Sequence, residues 1–105
     1  MGFKVFRTQE FEKKFSKLSK TEQNSVGKFE KKLVENPYLG KPLSYPFLRE
    51  KKLNGKRIYY LIYETYIIVL MVAVSDKKTQ QETIDAIKQK LEEYYKFVKE
   101  SLRNL

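Results

Sequence analysis

The stretch of sequence that decides the fold, residues 49–78, reads REKKLNGKRIYYLIYETYIIVLMVAVSDKK. It predicts two strands joined at Asn54-Gly55, because Asn-Gly is a preferred pair for a two-residue type I′ hairpin turn. A third segment, residues 66–74, is apolar on both faces, as expected of a central strand. A tight turn at Glu64-Thr65 connects the second segment to the third, so the stretch predicts an antiparallel meander of three strands.

The sequence before this meander predicts a strand followed by two helices. Residues 3–7 alternate apolar and cationic side chains, which is typical of a short strand. Residues 8–35 predict an α-hairpin whose first helix begins at the N-cap Thr8 and whose second begins at a capping box of Ser19 and Glu22. Residues 37–46, which are rich in proline and glycine, are predicted to be a loop.

The sequence after the meander predicts one long helix. Thr79 and Glu82 form a second capping-box pattern, and apolar residues then recur at helical spacing to about residue 102. Only the first turns are expected to reach the core, and the rest is expected to fold back, pair with a second copy or dock a partner. The predicted fold class is α+β: an N-terminal strand, an α-hairpin, an antiparallel β-meander with one possible parallel edge strand, and a long C-terminal helix, in a single domain of residues 1–105.

The composition narrows the chemistry that the protein can perform. The 105 residues include no cysteine and no histidine, which excludes disulfides, thiolate metal sites and the commonest general base. No metal cluster or cofactor motif is recognisable, so none is expected. The net charge of +9 favours an anionic partner such as nucleic acid, an acidic protein or an anionic membrane surface, although it is also compatible with a bias towards solubility or thermostability. No signal peptide or membrane span is recognisable, so a cytoplasmic protein is expected.

Cationic side chains form three groups near strand ends. The groups are Arg49, Lys51 and Lys52, then Lys56 and Arg57, then Lys77 and Lys78. In an antiparallel meander, the start of the second strand lies beside the end of the third, so Arg57 should meet Lys77 and Lys78. Tyr59 shares a face with Arg57 and is expected to be accessible. Cationic side chains that converge on one end of a sheet could bind a phosphate group. The same sequence pattern is also compatible with ordinary solvated charges at strand ends and with a Tyr59 that is half-buried in the sheet.

These segments together resemble the RelE/ParE toxin superfamily, the small basic toxins of toxin–antitoxin pairs. The resemblance covers residues 3–88 and rests on the first strand, the phenylalanine-rich α-hairpin and the segments NPYLGKPL, LREKKLNGKRIYYLIY and SDKK. Within them, GKRIYY matches the Gly-x-Arg-hydrophobic-x-Tyr motif that is frequent in the superfamily. In the RelE branch, similar charged strands line a concave face that binds mRNA in the ribosomal A site.

The resemblance implies cleavage of ribosome-bound mRNA by attack of a 2′-hydroxyl on the neighbouring phosphodiester, without a metal. It assigns catalysis to Arg57, Lys52, Lys77, Lys78 and Tyr59, and RNA binding to Arg49, Lys51 and Lys56. Lys51 or Lys52 would be the base, and a lysine or Tyr59 would protonate the leaving oxygen; Tyr94 and Tyr95 are further possibilities for this acid. The implied partners are a cognate antitoxin and mRNA on the ribosome.

Two other functions are compatible with the same sequence. One is a non-catalytic, ParE-like inhibitor of a protein target such as gyrase, and the other is an inactive module that binds RNA or protein. The nuclease hypothesis depends on the position of one side chain. If the Arg57 guanidinium were far from Lys77 and Lys78, or buried against an internal carboxylate, the proposed site would lose its central group.

Overall fold

A computed structural model describes residues 2–103 and contains one five-stranded sheet. The strands are β1 (Lys4–Arg7), β2 (Lys41–Leu43), β3 (Tyr45–Leu53), β4 (Lys56–Tyr63) and β5 (Ile68–Ser75). Their spatial order is β1-β5-β4-β3-β2, and neighbouring strands are antiparallel except for the edge strand β1, which runs parallel to β5. This arrangement confirms the predicted α+β class, the meander and its parallel edge strand.

Four helices cover the two faces of the sheet. They are α1 (Gln9–Ser16), α2 (Lys20–Glu35), α3 (Gln80–Gln89) and α4 (Leu91–Arg103). The predicted α-hairpin is confirmed, because Thr8 Oγ1 accepts a hydrogen bond from the Phe11 N–H and Ser19 forms a complete capping box with Glu22. These side chains satisfy backbone donors that have no partner inside the helix.

The turn at Asn54-Gly55 sets the register of the central hairpin. Asn54 has a φ of 51° and Gly55 a φ of 82°, and a type I′ turn requires a positive φ at both central residues. The turn places Leu53 opposite Lys56, and Lys52 opposite Arg57. The local prediction of a two-residue hairpin is therefore confirmed.

The prediction of a single long C-terminal helix is wrong, because the helix breaks at Lys90. The Lys90 N–H donates to the Ile87 carbonyl, and α4 then folds back over the sheet, where Tyr94 and Val98 are buried. A straight helix would carry these apolar side chains past the small sheet into water, so the break allows their burial. The last two residues of the predicted distal segment lie outside the described residues.

The predicted capping box at Thr79 is also wrong. No side-chain cap forms at Thr79; instead Asp76 Oδ1 accepts hydrogen bonds from the Thr79 N–H at 3.0 Å and from the Thr79 hydroxyl at 3.1 Å. A carboxylate accepts hydrogen bonds more strongly than a hydroxyl does, and the segment after β5 places Asp76 close enough to act.

Part of the segment predicted as a loop forms a strand. Residues 41–43 make β2, which pairs with β3 as far as Glu50. Just before it, the Gly40 N–H donates to the Tyr60 hydroxyl at 2.9 Å, and that hydroxyl donates to the Pro37 carbonyl at 2.8 Å. A Cβ at Gly40 would stand only 2.7 Å from the Tyr60 hydroxyl, so a glycine permits this close approach.

The sheet separates two hydrophobic clusters. Tyr59 and Leu61 face the cluster under α3 and α4, whereas Ile58, Tyr60 and Ile62 face the cluster under α1 and α2. We call these sides the α3–α4 face and the α1–α2 face. Side chains along β4 therefore alternate between the two faces, as expected of a strand.

Candidate functional site

The candidate site lies where the β3–β4 hairpin and the end of β5 meet, which we call the hairpin end of the sheet. Lys52 pairs with Arg57 across the hairpin, and Arg57 pairs with Ser75 on its other side. Lys77 and Lys78 follow Ser75 directly and are exposed. The backbone therefore brings the predicted cationic residues of three strands to one end of the sheet.

Side-chain alternation divides these cations between the two faces of the sheet. In β3, Leu48 and Glu50 are buried on the α3–α4 face, and Lys52 follows at the same spacing. Arg49 and Lys51 point to the opposite face, where Arg49 lies over the Tyr38 ring and Lys51 lies over the Phe29 ring. Of the three predicted cations in β3, Lys52 therefore lies on the same face as Arg57, whereas Arg49 and Lys51 lie on the opposite face.

The Arg57 side chain is buried against a carboxylate. Arg57 is 8 % exposed, and its Nε lies 3.7 Å from Oε2 of Glu50, which is 4 % exposed. Gln80, at the start of α3, donates to the same Oε2 atom at 2.7 Å. The expectation of an open guanidinium is therefore wrong: Arg57 is buried against an internal carboxylate, the arrangement in which the predicted site loses its central exposed group. The physical reason is that α3 covers this part of the sheet, and a buried carboxylate and a buried guanidinium stabilise each other there.

The Arg57 guanidinium nevertheless has unused hydrogen-bonding capacity. Its Nε is completely buried and has no hydrogen-bond partner among residues 2–103, because the distance of 3.7 Å to Glu50 is too long for a hydrogen bond. Buried donors are nearly always satisfied, so this unpaired N–H is unusual. Since Nε itself is buried, the residual exposure of the side chain lies on its other atoms.

Tyr59 is not accessible, contrary to the prediction. It is 0 % exposed, and its hydroxyl lies 2.8 Å from the Ser75 hydroxyl. Ser75 in turn donates to the Asp76 carbonyl at 3.0 Å, so Tyr59 is the donor to Ser75. Burial raises the pKa of Tyr59 above its ordinary value. The ring belongs to the core under α3 and α4, which the alternation alone did not reveal.

The segment that carries Lys77 and Lys78 is held by Asp76. The N–H and the hydroxyl of Thr79 donate to the Asp76 carboxylate and hold its pKa below the usual value. Both lysines lie in this capped turn before α3 and point away from the hydrophobic core. Lys56, beside Arg57, is half-exposed, and its charge also favours the ionised form of Asp76.

Arg49 donates hydrogen bonds to backbone carbonyls on both sides of β2. Its Nε donates to the Pro46 carbonyl at 2.8 Å, and its Nη1 donates to the Gly40 carbonyl at 2.9 Å. The guanidinium also lies 5.0 Å from the centre of the Tyr38 ring. These contacts give Arg49 a structural function in addition to any contact that it makes with a ligand.

Sequence reasoning missed Glu50 and Gln80 as members of this cluster. Glu50 had a recognisable signal: it is the only carboxylate in the basic segment Arg49 to Lys52, and its spacing from Leu48 places it on the core face. Gln80 had no such signal, because its contact with Glu50 joins residues that are thirty positions apart.

Two further properties concern metals and membranes. Among residues 2–103, no group of three or more Asp and Glu side chains is close enough to hold a metal ion. In the same part of the chain, no helix combines the length and the apolar character needed to cross a bilayer.

No family model and no curated protein matches the sequence. Solved structures do match. A mutant of the E. coli toxin RelE in the free state superposes with a TM-score of 0.73 and 19 % identity, over 85 % of this chain and 98 % of that chain. The toxin–antitoxin complex RelBE2 from Mycobacterium tuberculosis gives a TM-score of 0.65 and 21 % identity, over 73 % of this chain and 100 % of that chain.

An archaeal RelE–RelB complex from Pyrococcus horikoshii also matches, with a TM-score of 0.65 and 15 % identity, over 73 % of this chain and 97 % of that chain. At these identities the similarity concerns the three-dimensional arrangement of the chain. The chain therefore has the fold of the RelE toxins.

Proposed function

We propose that this protein is the toxin of a type II toxin–antitoxin pair and acts as a ribosome-dependent mRNA endoribonuclease. The observation that carries the proposal is the convergence of Lys52, Lys77 and Lys78, all exposed, on the hairpin end of the sheet around Arg57. Phosphate is the ligand that suits this group, because guanidinium and ammonium donors both bind its oxygens. The RelE fold supports the same function by analogy.

The proposed reaction is an internal transfer at phosphorus. The 2′-hydroxyl oxygen forms a bond to the adjacent phosphorus, and the bond from phosphorus to the 5′-oxygen breaks. A base removes the proton of the 2′-hydroxyl, and an acid protonates the departing 5′-oxygen. The products are a 2′,3′-cyclic phosphate and a 5′-hydroxyl, so the step needs neither water nor an oxidant.

We assign the base to Lys52, because it is exposed beside Arg57 on the α3–α4 face, whereas Lys51 points to the other face. Arg57 and one of Lys77 or Lys78 would stabilise the negative charge that develops on the phosphate oxygens. Tyr59 is fully buried, so we assign protonation of the 5′-oxygen to the other lysine of that pair. Lys56 would bind a neighbouring phosphate.

Glu50 would act as a positioning residue for Arg57. Its Oε2 atom lies 3.7 Å from Nε and accepts a hydrogen bond from Gln80. Because Nε is buried, a ligand would be bound by the Nη atoms. Because Glu50 offsets part of the Arg57 charge, the exposed lysines must supply most of the positive field of the site.

The decisive experiment adds the protein to a translating extract and maps the mRNA ends. We expect cuts in ribosome-bound mRNA, and we expect Lys52→Ala to reduce the cleavage rate by about a hundredfold or more, in the range typical of a lost general base. Lys96→Ala, a change at an exposed lysine on α4, is the matched control and should cleave normally. Intact mRNA together with continued translation would refute the nuclease assignment.

We also propose a cognate antitoxin as the protein partner. The solved RelB–RelE complexes show antitoxins bound to toxins of this fold, and the net charge of +9 favours an acidic binding segment. The test is to find a short acidic protein encoded beside this one and to co-express the two. Co-purification together with loss of mRNA cleavage is the expected result.

A second function is favoured by the burial of the site. Arg57 is paired with Glu50 and Tyr59 is buried, so neither side chain is exposed to a substrate, which is compatible with a toxin that does not catalyse a reaction. Such a protein would inhibit a protein target such as gyrase. Inhibition of DNA supercoiling that persists in the Lys52→Ala variant, without mRNA cleavage, would support this alternative.

A further inference from the structure

A second cationic site lies on the opposite face of the sheet, between α2 and β3. Three lysines line a pocket of about 320 Å³: Lys28 and Lys32 from α2, and Lys51 from β3. The remaining lining residues are Ser25, Phe29, Leu39 and Leu53. The pocket therefore combines ammonium groups and one hydroxyl with an apolar wall, and its lining contains no carboxylate.

The absence of a carboxylate distinguishes this pocket from two others on the described chain. The pocket between α1, β5 and α3 has lysines on its rim, but Glu10 and Glu82 also line it. In the groove beside β1, Arg7 is paired with Glu12 and Glu30. In the α2–β3 pocket, none of the three lysines forms a salt bridge within residues 2–103.

The three lysines bring like charges from two neighbouring elements to one pocket. Lys28 and Lys32 are four residues apart on one helix, a spacing at which like charges repel. Lys51 adds a third positive charge from the neighbouring strand, and its ammonium group lies 5.7 Å from the centre of the Phe29 ring. This contact restrains Lys51, so less conformational freedom is lost when it binds an anion.

The edge of the sheet connects this pocket to the hairpin end. Strand β2 pairs with β3 only as far as Glu50, so residues 51–53 form an open edge. At this edge, Lys51 and Lys52 are consecutive and point to opposite faces. A polyanion that contacts Lys52 on one face can therefore pass over the edge and reach Lys51 on the other.

We propose that Lys28, Lys32 and Lys51 form a phosphate-binding pocket for the backbone of an RNA strand. The inference rests on the proposed action on RNA and extends its footprint from the hairpin end to the α1–α2 face. The lysines bind phosphate without reading sequence. The apolar wall formed by Phe29, Leu39 and Leu53 lies beside the phosphate position.

The test measures binding of a fluorescently labelled single-stranded RNA of about twelve nucleotides at several salt concentrations, without ribosomes. Each phosphate contact on a single strand contributes about 0.7 to the slope of log affinity against log salt concentration. In a triple variant with Lys28→Gln, Lys32→Gln and Lys51→Gln, we expect the slope to fall by about 0.7 to 2. Thermal unfolding checks that the variant remains folded.

The matched control is a triple variant with Lys13→Gln and Lys14→Gln on α1 and Lys17→Gln directly after it, which changes the net charge equally. Equal slopes for the two triple variants would overturn the proposal, as would a wild-type protein that does not bind the RNA. A titration with inorganic phosphate, followed by the NMR signals of Ser25 and Lys51, identifies the source of the phosphate. Shifts of these signals together with unchanged RNA slopes would assign the pocket to a small phosphate ligand and refute the RNA contact.

This test is independent of the nuclease assay. An altered salt slope with no mRNA cleavage would support the pocket and refute the nuclease. Cleavage with no change in slope would support the nuclease and refute the pocket.

Discussion

The pairing of Arg57 with Glu50 concerns both the stability of the protein and its proposed chemistry. Both side chains are buried, and either charge alone would be poorly solvated. Gln80 donates to Glu50, but no described group accepts a hydrogen bond from Arg57 Nε. The guanidinium is thus held beside Glu50, and because its Nε is buried, a phosphate could be bound only by its Nη atoms.

Loss of the Arg57 side chain should destabilise the fold. Arg57→Ala leaves the Glu50 carboxylate buried with only Gln80 as its partner, so we expect the free energy of unfolding to fall by about 3 kcal/mol. Urea denaturation measures this change. The double variant Glu50→Leu with Arg57→Met removes both charges and should recover most of the loss. If Arg57→Ala were as stable as the wild type, the buried pair described above would be absent in solution.

Because Arg57→Ala affects stability, the activity of this variant is interpretable only alongside its folded fraction. Arg57→Lys keeps the positive charge but loses the planar fork that binds two phosphate oxygens. We expect this variant to remain largely folded and to lose most mRNA cleavage. Normal cleavage by Arg57→Lys would show that charge alone suffices at this position.

The burial of Tyr59 leads to a prediction about the general acid. Tyr59→Phe removes a hydroxyl that donates to Ser75 inside the protein, so we expect a loss of stability of about 1 kcal/mol. Cleavage of mRNA should be retained, because the hydroxyl has no access to a substrate. Loss of cleavage in a variant that remains folded would return Tyr59 to the catalytic set.

At the scale of secondary structure, the sequence correctly predicted those features that depend on interactions between neighbouring residues. The turn at Asn54-Gly55 and the capping box at Ser19 depend on residues that are close in sequence, and both were correctly predicted. The helix break at Lys90 was not, because it follows from burying Tyr94 and Val98 against a sheet whose dimensions the helix sequence does not contain. The site shows the same limit of sequence-based prediction. The register of the hairpin, which the Asn54-Gly55 turn sets, is sufficient to pair Lys52 with Arg57. The burial of Arg57 under α3 depends on the tertiary structure and could not be predicted.

The Asp76 cap links the start of α3 to pH. Its folded-state pKa is below the ordinary value of 3.8, so its contribution to stability is present above pH 3.8 and is lost as the pH falls through the folded-state pKa. We expect Asp76→Asn to weaken this acid-dependent contribution. NMR titration of Asp76, with urea denaturation from pH 2 to 5, measures the effect. An Asp76 pKa at its ordinary value would contradict the capping contact.

At the scale of the whole molecule, α4 completes the core. Tyr94 and Val98 pack against the cluster under α3 and α4, together with Leu61 and Leu70 of the sheet. Burial of one such side chain contributes about 1.5 to 3 kcal/mol. We therefore expect a chain that ends at Lys90 to lose at least about 3 kcal/mol of stability, measured as a lower urea midpoint. An unchanged midpoint would show that α4 is detached in solution.

Tyr94 provides a separate probe of α4 at alkaline pH. Burial raises the pKa of Tyr94 to about 12, whereas the ordinary value is 10. Because the folded state retains the proton longer, the contribution of this group is complete below pH 10 and is lost as the pH rises towards 12. Tyr94→Phe should make stability less dependent on pH in this window. The same slope in both proteins would indicate that the ring is exposed.

The parallel pairing of β1 with β5 has a consequence for biosynthesis. β1 is the first strand to be translated, but its neighbour in the sheet is the last strand. During translation, β1 therefore remains unpaired until residues 68–71 have left the ribosome. Contacts between such distant segments close late and slowly. A chain proposed to attack the message being translated thus reaches its working shape only when its own translation is nearly complete.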